Sequence, residues 1–281
     1  MDTFTTVTAM KSWATAERRS GNTIGFVPTM GYLHEGHLSL IHAARRENDR
    51  VAASIFVNPT QFGRNEDLST YPRDPVNDAA KCAEAGVDAL FMPDAAEIYG
   101  PRHQTYVEPG RIAEPLCGRS RPGHFRGVAT VVLKLFNIVN PTAAYFGAKD
   151  YQQLQVIRSM VQDLNVDVRI VSCPTVREPD GLAMSSRNSY LTPAERRQAV
   201  CLYQALCNAK ELFDQRVKDA QTYLKAMNDR VRREPDATPD YISLVDPETL
   251  EDLQEVSDRC LAVMAVRIGK TRLIDNMLFE R

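Results

Sequence analysis

Blocks of apolar residues of two different periods alternate along the first part of the chain. Thr23 to Val27 (TIGFV) is a short apolar run of strand length. From Gly36 to Asp49, apolar residues recur at Leu38, Leu40, Ile41 and Ala44, the spacing of an amphipathic helix. Val51 to Asn58 (VAASIFVN) is nearly continuous and suits a parallel strand covered on both faces. Asp74 to Ala85 predicts a helix stopped by Gly86, and Val87 to Pro93 a third buried strand. A buried helix over Val128 to Val139 ends at Asn140-Pro141. Ala143 to Gly147 follows as a fourth strand, Ala148 to Leu164 as a helix and Asp167 to Val176 as a fifth strand. Strand–helix–strand alternation with short connections predicts an α/β fold with a Rossmann-like doubly wound parallel sheet. Ligands on such sheets bind beyond the carboxyl ends of the strands.

The pattern loosens after Ile98. Gln104 to Glu108 is expected as a short edge strand. Leu116 to Gly127 (LCGRSRPGHFRG) is expected as a Gly-rich loop carrying Arg119, Arg121, His124 and Arg126. Such a cluster is either a solvated basic loop or a mobile lid over an anionic substrate. Past Thr192 the character changes. Pro193 to Gln215 predicts one long helix capped by Thr192, and Gln221 to Arg233 a second. YISLVDP, CLAVMAVRIG and TRLIDNMLF then read as three strands, so a smaller α+β domain closes the chain. The expected boundary gives residues 1–176 to the first domain and 177–281 to the second, with the loop Met184 to Arg187 at the hinge.

Composition narrows the class of protein. The 281 residues are 43% hydrophobic and 25% charged, as in ordinary globular proteins. A formal net charge of −2 gives no reason to expect broad affinity for nucleic acid or anionic membrane. The six cysteines contain no CxxC pair and read as thiols in a reducing compartment. Residues 1–20 lack the apolar core of a signal peptide, and the run Val128 to Val139 is too short to span a bilayer. A cytoplasmic protein that binds neither nucleic acid nor membrane is the expectation.

The candidate chemistry gathers at the predicted strand ends. PTMGYLHEGH (Pro28 to His37) places a Gly-containing turn and two imidazoles, His34 and His37, where a helix starts. Helix N-termini attract phosphate through their free N–H groups and positive dipole end. An isolated HxxH is more often ordinary surface, so the other strand ends decide. NPTQFG (Asn58 to Gly63) follows the second predicted strand. Lys149 and Asp150 follow the fourth, with Gln153 about one turn further. Met184-Ser185-Ser186-Arg187 lies in the polar loop after the fifth. No third ligand is apparent beside the two histidines, which points to charge stabilisation rather than metal binding.

An HxGH turn followed late in the chain by a Ser-rich basic loop resembles the signatures of the class I nucleotidyltransferase superfamily. PTMGYLHEGH, FVNPTQFG, YPRD, RPGHFRGV, YFGAKDYQQL and GLAMSSRNSYL, in this order, resemble more closely the pantothenate synthetase (pantoate–β-alanine ligase) family. The resemblance is strong over roughly residues 20–195 and looser beyond. It implies an ATP-dependent amide ligation: pantoate attacks the α-phosphate of ATP, giving pantoyl adenylate and pyrophosphate, and β-alanine then displaces AMP. Mg²⁺ would accompany the nucleotide, and the family suggests a homodimer.

By the same resemblance, ATP would be bound by Met30, Gly31, Tyr32, Leu33, His34, Glu35, Gly36 and His37, by Gly147, Ala148, Lys149 and Asp150, by Val176, and by Met184, Ser185, Ser186 and Arg187. His34, His37 and Lys149 would be catalytic, donating to charge that develops at the α-phosphate. His37 is also a candidate general acid. Asp150 would hold the ribose hydroxyls, and Ser185, Ser186 and Arg187 the β- and γ-phosphates. Gln61 and Gln153 would hydrogen-bond pantoate, Gln61 also approaching β-alanine. Arg121 and His124 would close over the site. Ala148 stands where the family commonly has Glu, and Tyr32 fills a variable position. The rival reading is another HxGH-type nucleotidylyltransferase acting on a small acid or phosphate acceptor. A second is a nucleic-acid- or protein-binding module that has kept the fold without catalysis.

Overall fold

In the computed structural model, which describes residues 1–64 and 66–281, the alternating apolar segments form a Rossmann-like sheet. The first part of the chain runs β1 (Asp2–Phe4), α1 (Val7–Arg19), β2 (Ile24–Thr29), α2 (Glu35–Glu47), β3 (Arg50–Ile55), α3 (Pro75–Glu84), β4 (Ala89–Phe91) and a single turn α4 (Ala95–Ile98). It continues through α5 (Cys117–Ser120), α6 (His124–Val139), β5 (Ala143–Gly147), α7 (Tyr151–Asp163) and β6 (Arg169–Cys173). The six strands are parallel in the order β1-β4-β3-β2-β5-β6. From β2 the chain steps outward to β3 and β4, whereas β5 and β6 lie on the other side, so the winding reverses between β2 and β5. Ligand crevices form at the strand carboxyl ends of such a reversal. The turn from Met30 to His37 follows β2, and Gly147 closes β5.

Both faces of the sheet are buried, which explains the near-continuous apolar runs. Val27, Val51, Leu90 and Tyr145 pack with Leu40 and Ile41 of α2. On the opposite face Phe26 meets Phe136 of α6 edge-on at 6.5 Å between centroids.

The remaining elements are α8 (Pro193–Ala199), α9 (Cys201–Asp214), α10 (Ala220–Val231), β7 (Ala237–Val245), β8 (Arg259–Ile268) and β9 (Thr271–Glu280). The three strands form an antiparallel sheet in the order β7-β8-β9. Leu202, Phe213, Tyr223, Met264 and Phe279 make a core of their own with neighbours from α9 and α10. Thr192 caps α8 through a reciprocal capping box with Glu195.

The chain divides into two units. One comprises Met1–Ala113, Arg121–Ala148 and Gln153–Pro174, the other Glu114–Ser120, Lys149–Gln152 and Thr175–Arg281. The main division thus falls at Pro174/Thr175, and two short segments that precede it group with the second unit. Among the described residues, no helix is long and apolar enough to cross a membrane.

Several expectations are corrected. The polar, Thr-rich start contains no apolar run, yet it forms β1 and α1, because β1 can extend the sheet along β4. Gln104 to Glu108 is not a strand; the Val107 N–H donates to the Thr130 hydroxyl at 2.9 Å instead of to a neighbouring strand. The stretch from Leu116 to Gly127 is not a loop. It holds α5 and the first turn of α6, which starts at His124 rather than Val128, directly after Gly123 in the left-handed conformation. The long helix from Pro193 to Gln215 is two helices, α8 and α9, that meet at Val200.

Candidate active site

The histidine turn is built by its own hydrogen bonds. His34 is the N-cap of α2, and its Nδ1 accepts the Gly36 N–H at 3.1 Å. His37 Nδ1 accepts the His34 N–H at 3.3 Å, a capping box made of two imidazoles. The rings lie 4.1 Å apart between centroids. A neutral imidazole that accepts at Nδ1 carries its proton at Nε2. Both neutral rings are therefore set as Nε2–H donors at the positive end of a helix, which suits an anion.

One carboxylate holds this turn from below. Asp78 of α3 is 1% exposed and accepts the N–H groups of Tyr32 and Leu33, each at 2.7 Å. Tyr32 has φ of 52°, a left-handed conformation that is uncommon for a residue with a side chain. Lys81 Nζ donates to the Leu33 carbonyl at 2.6 Å. The Leu33 side chain is in the core, so it would meet a ligand only through backbone. Gly31 has φ of 84°, and a Cβ there would lie 2.9 Å from both Asp78 Oδ2 and Ile55 Cγ2.

Gln61 closes a single 3₁₀ turn, Pro59–Gln61, after β3 and is buried. Its Oε1 accepts from Asn58 Nδ2 at 3.1 Å, and its Nε2 points to Met30 Sδ at 3.1 Å. Asn58, also buried, accepts the Tyr99 hydroxyl at 2.8 Å. Gln153 is half-buried on α7.

In the second unit, Lys149 and Asp150 form a 3₁₀ turn with Ala148, the last residue of the first unit. Burial lowers the Lys149 pKa below that of an ordinary lysine, and the nearby Arg187 charge adds to it, against the pull of Asp150 and Asp275. The Lys149 carbonyl accepts from Asn276 Nδ2 at 2.7 Å. The polar loop after Thr175 is folded back on itself. The Met184 N–H donates to the Val176 carbonyl at 3.0 Å, and Arg177 and Ala183 form a bridge. Ser185 caps the turn Ser186–Tyr190 by accepting the Arg187 N–H at 3.3 Å. Arg177 grips Asp275 with two bonds of 2.6 and 2.9 Å. Burial pushes the Asp275 carboxyl up, while Arg177 opposes it.

Sequence reasoning missed Asp78, Asn58, Arg177, Asp275 and Asn276, which hold the chemical groups without being candidates for touching a ligand. One signal was present for Asp78: it stands on the buried face of a predicted helix, one turn before Cys82, where a carboxylate needs a partner. Among the described residues, no group of three His, Cys, Asp or Glu could hold a metal ion.

A parallel sheet with paired imidazole donors at a helix start beside its winding reversal is an α/β arrangement that suits an anion. Comparison with known proteins narrows that class. The sequence model of the family described as Pantoate-beta-alanine ligase matches residues 2–278. Pantothenate synthetase from Thermotoga neapolitana is 54% identical over 273 residues, 97% of this chain and 98% of the relative. That from Desulfatibacillum aliphaticivorans is 55% identical over 97% of each chain. The crystal structure of pantothenate synthetase from Thermus thermophilus superposes with a TM-score of 0.94, at 47% identity over 99% of each chain. The Francisella tularensis pantoate-beta-alanine ligase, crystallised with beta-gamma ATP and beta-alanine, gives 0.84 at 39% identity, over 99% of this chain and 97% of that one. The chain belongs to the pantoate–β-alanine ligase family.

Proposed function

We propose that the protein condenses (R)-pantoate with β-alanine to give pantothenate, using ATP. A pantoate carboxylate oxygen attacks the α-phosphorus and pyrophosphate departs, leaving pantoyl adenylate. The β-alanine amine then attacks the acyl carbon, loses a proton, and AMP leaves with the bonding pair. Adenylation is required because a free carboxylate is a poor electrophile. The observation that carries the chemistry, within a family of ligases, is the paired-imidazole cap: both neutral rings present Nε2–H donors at the start of α2. Such fixed donors suit charge that grows on the α-phosphate in the transition state.

Proposed for the nucleotide are, in the first unit, Met30 to His37 with Gly147 and Ala148. In the second unit they are Lys149, Asp150, Val176 and Met184 to Arg187. Lys149 joins His34 and His37 in stabilising the transferring group, Asp150 takes the ribose hydroxyls, and Arg187 with the two serines takes the terminal phosphates. Gln61 and Gln153 bind pantoate as neutral amides, which offer a hydroxy acid both donors and acceptors. Mg²⁺ would enter with the nucleotide, held by its phosphates and by retained waters. The enzyme is proposed to be a cytoplasmic homodimer; its six free thiols fit a reducing compartment. The test is pantoate-dependent exchange of labelled pyrophosphate into ATP. Exchange is expected with pantoate. Its absence, with exchange supported instead by a phosphorylated acceptor, would overturn the reading in favour of a nucleotidylyltransferase.

A further inference from the structure

The motif RPGHFRG takes no part in the chemistry above, yet its residues converge on one turn. Arg121, His124 and Gly127, spaced by three, all meet the segment Asn58 to Gln61. His124 Nδ1 lies 2.9 Å from the Gln61 carbonyl oxygen, and Arg121 Nη2 lies 3.4 Å from the same atom. Arg121 Nη1 faces His124 Nε2 at 2.9 Å. Its Nε and Nη2 donate to the two oxygens of Glu66 at 2.7 and 2.6 Å. At Gly127 the approach is so close that a Cβ would fall 2.5 Å from the Thr60 carbonyl and 2.7 Å from Gln61 Cα. The Gly127 carbonyl accepts from Asn58 Nδ2 at 3.1 Å, the same amide that donates to Gln61 Oε1.

The donors and acceptors in this chain fix the state of the imidazole. A guanidinium can only donate, so His124 Nε2, facing Arg121, must accept. A neutral ring that accepts at Nε2 carries its proton at Nδ1, and that Nδ1–H donates to the Gln61 carbonyl. Glu66 holds Arg121 at the far end through a paired fork.

We propose that His124, locked as the Nδ1–H tautomer by the Arg121–Glu66 pair, is a positioning residue for Gln61. It fixes the main chain from which the carboxamide reaches pantoate, while Asn58 fixes the carboxamide's rotation. The motif acts on the acid subsite through Gln61 and leaves the nucleotide alone. This rests on the reading that Gln61 binds pantoate.

Two substitutions separate hydrogen bonding from packing. His124→Phe keeps a ring of similar size and removes the donor, whereas His124→Asn shrinks the side chain and keeps a donor near the Nδ1 position. His124→Phe is expected to raise KM for pantoate about tenfold, the scale of one well-placed hydrogen bond, with KM for ATP close to wild type and Tm lowered by a few degrees at most. His124→Asn is expected to recover most of that loss. A role in packing alone predicts the reverse order and would overturn the proposal, as would equal rises in both KM values. Ring ¹⁵N spectra of histidine-labelled protein give a readout free of activity. The Nδ1–H tautomer is expected for His124, and an Nε2–H ring refutes the lock. Gln61→Ala is measured in parallel. If it leaves KM for pantoate unchanged, the pantoate assignment has failed, while the ring spectrum still judges the clamp.

Discussion

Asp78 carries the most demanding prediction, because one carboxylate holds the backbone that presents both histidines. Its two oxygens accept the Tyr32 and Leu33 N–H groups at 2.7 Å, inside a site where Asp78 is 1% exposed. Hydrogen bonds to a charged group contribute about 1.5–3 kcal/mol each, so removing both takes about 3 kcal/mol or more from the ordered turn. Tyr32 is also kept in a left-handed conformation that costs about 1–2 kcal/mol and relaxes once the anchor is gone. At 1.4 kcal/mol per factor of ten, Asp78→Ala is expected to lower kcat/KM by about 10²-fold. Asp78→Asn keeps the shape and one acceptor oxygen, but turns an amide N–H toward the other backbone donor, so a loss of about tenfold is expected. The assay is pyrophosphate exchange, paired with hydrogen exchange at the Tyr32 and Leu33 amides and a thermal scan. Full activity in Asp78→Asn with unchanged protection of those two amides would show that the carboxylate does not hold the turn. The Asn variant keeps the test valid if Ala fails to fold.

Other outcomes follow from the same geometry. His37→Ala and Lys149→Ala should each lower kcat by at least about 10²-fold, the usual loss for a transition-state donor, with folding intact; near-wild-type turnover in both refutes their roles. Since burial lowers the Lys149 pKa, activity that needs its ammonium form should decline with rising pH earlier than an ordinary lysine would allow, as a pH–rate profile would reveal. Gln61→Ala should weaken pantoate more than ATP, as measured by calorimetric titration of each ligand. Burial raises the Glu66 pKa, but the Arg121 hydrogen bonds and charge outweigh it and leave the carboxyl lowered. Stability from that pair is therefore complete above the ordinary carboxylate pKa of 4.5 and is lost as pH falls through the lower folded-state value. Glu66→Gln should make the acid limb of a Tm-against-pH curve shallower, and an unchanged limb would contradict the link.

Sequence alone determined the elements with strong internal period and nominated the candidate chemical groups. The short continuous apolar runs suited covered parallel strands, and Thr192 read as a helix cap, which its capping box with Glu195 fulfils. His34, His37, Gln61, Lys149 and the serines of the late loop could be nominated together because the family motifs keep their order along the chain. Weak local patterns misled: a polar beginning hid β1 and α1, and Gly and Pro near Arg121 masked the start of α6 at His124.

Only the tertiary structure decided what holds those groups in place. Asp78 meets Leu33 across 45 residues of chain, Arg121 meets Glu66 across 55, and His124 meets Gln61 across 63. No local period records such bonds, because each depends on where the sheet order places two distant segments. The tautomers of the histidines were beyond sequence for the same reason. Which ring nitrogen carries the proton is set by the partner each one faces, and that partner exists only once the chain has folded.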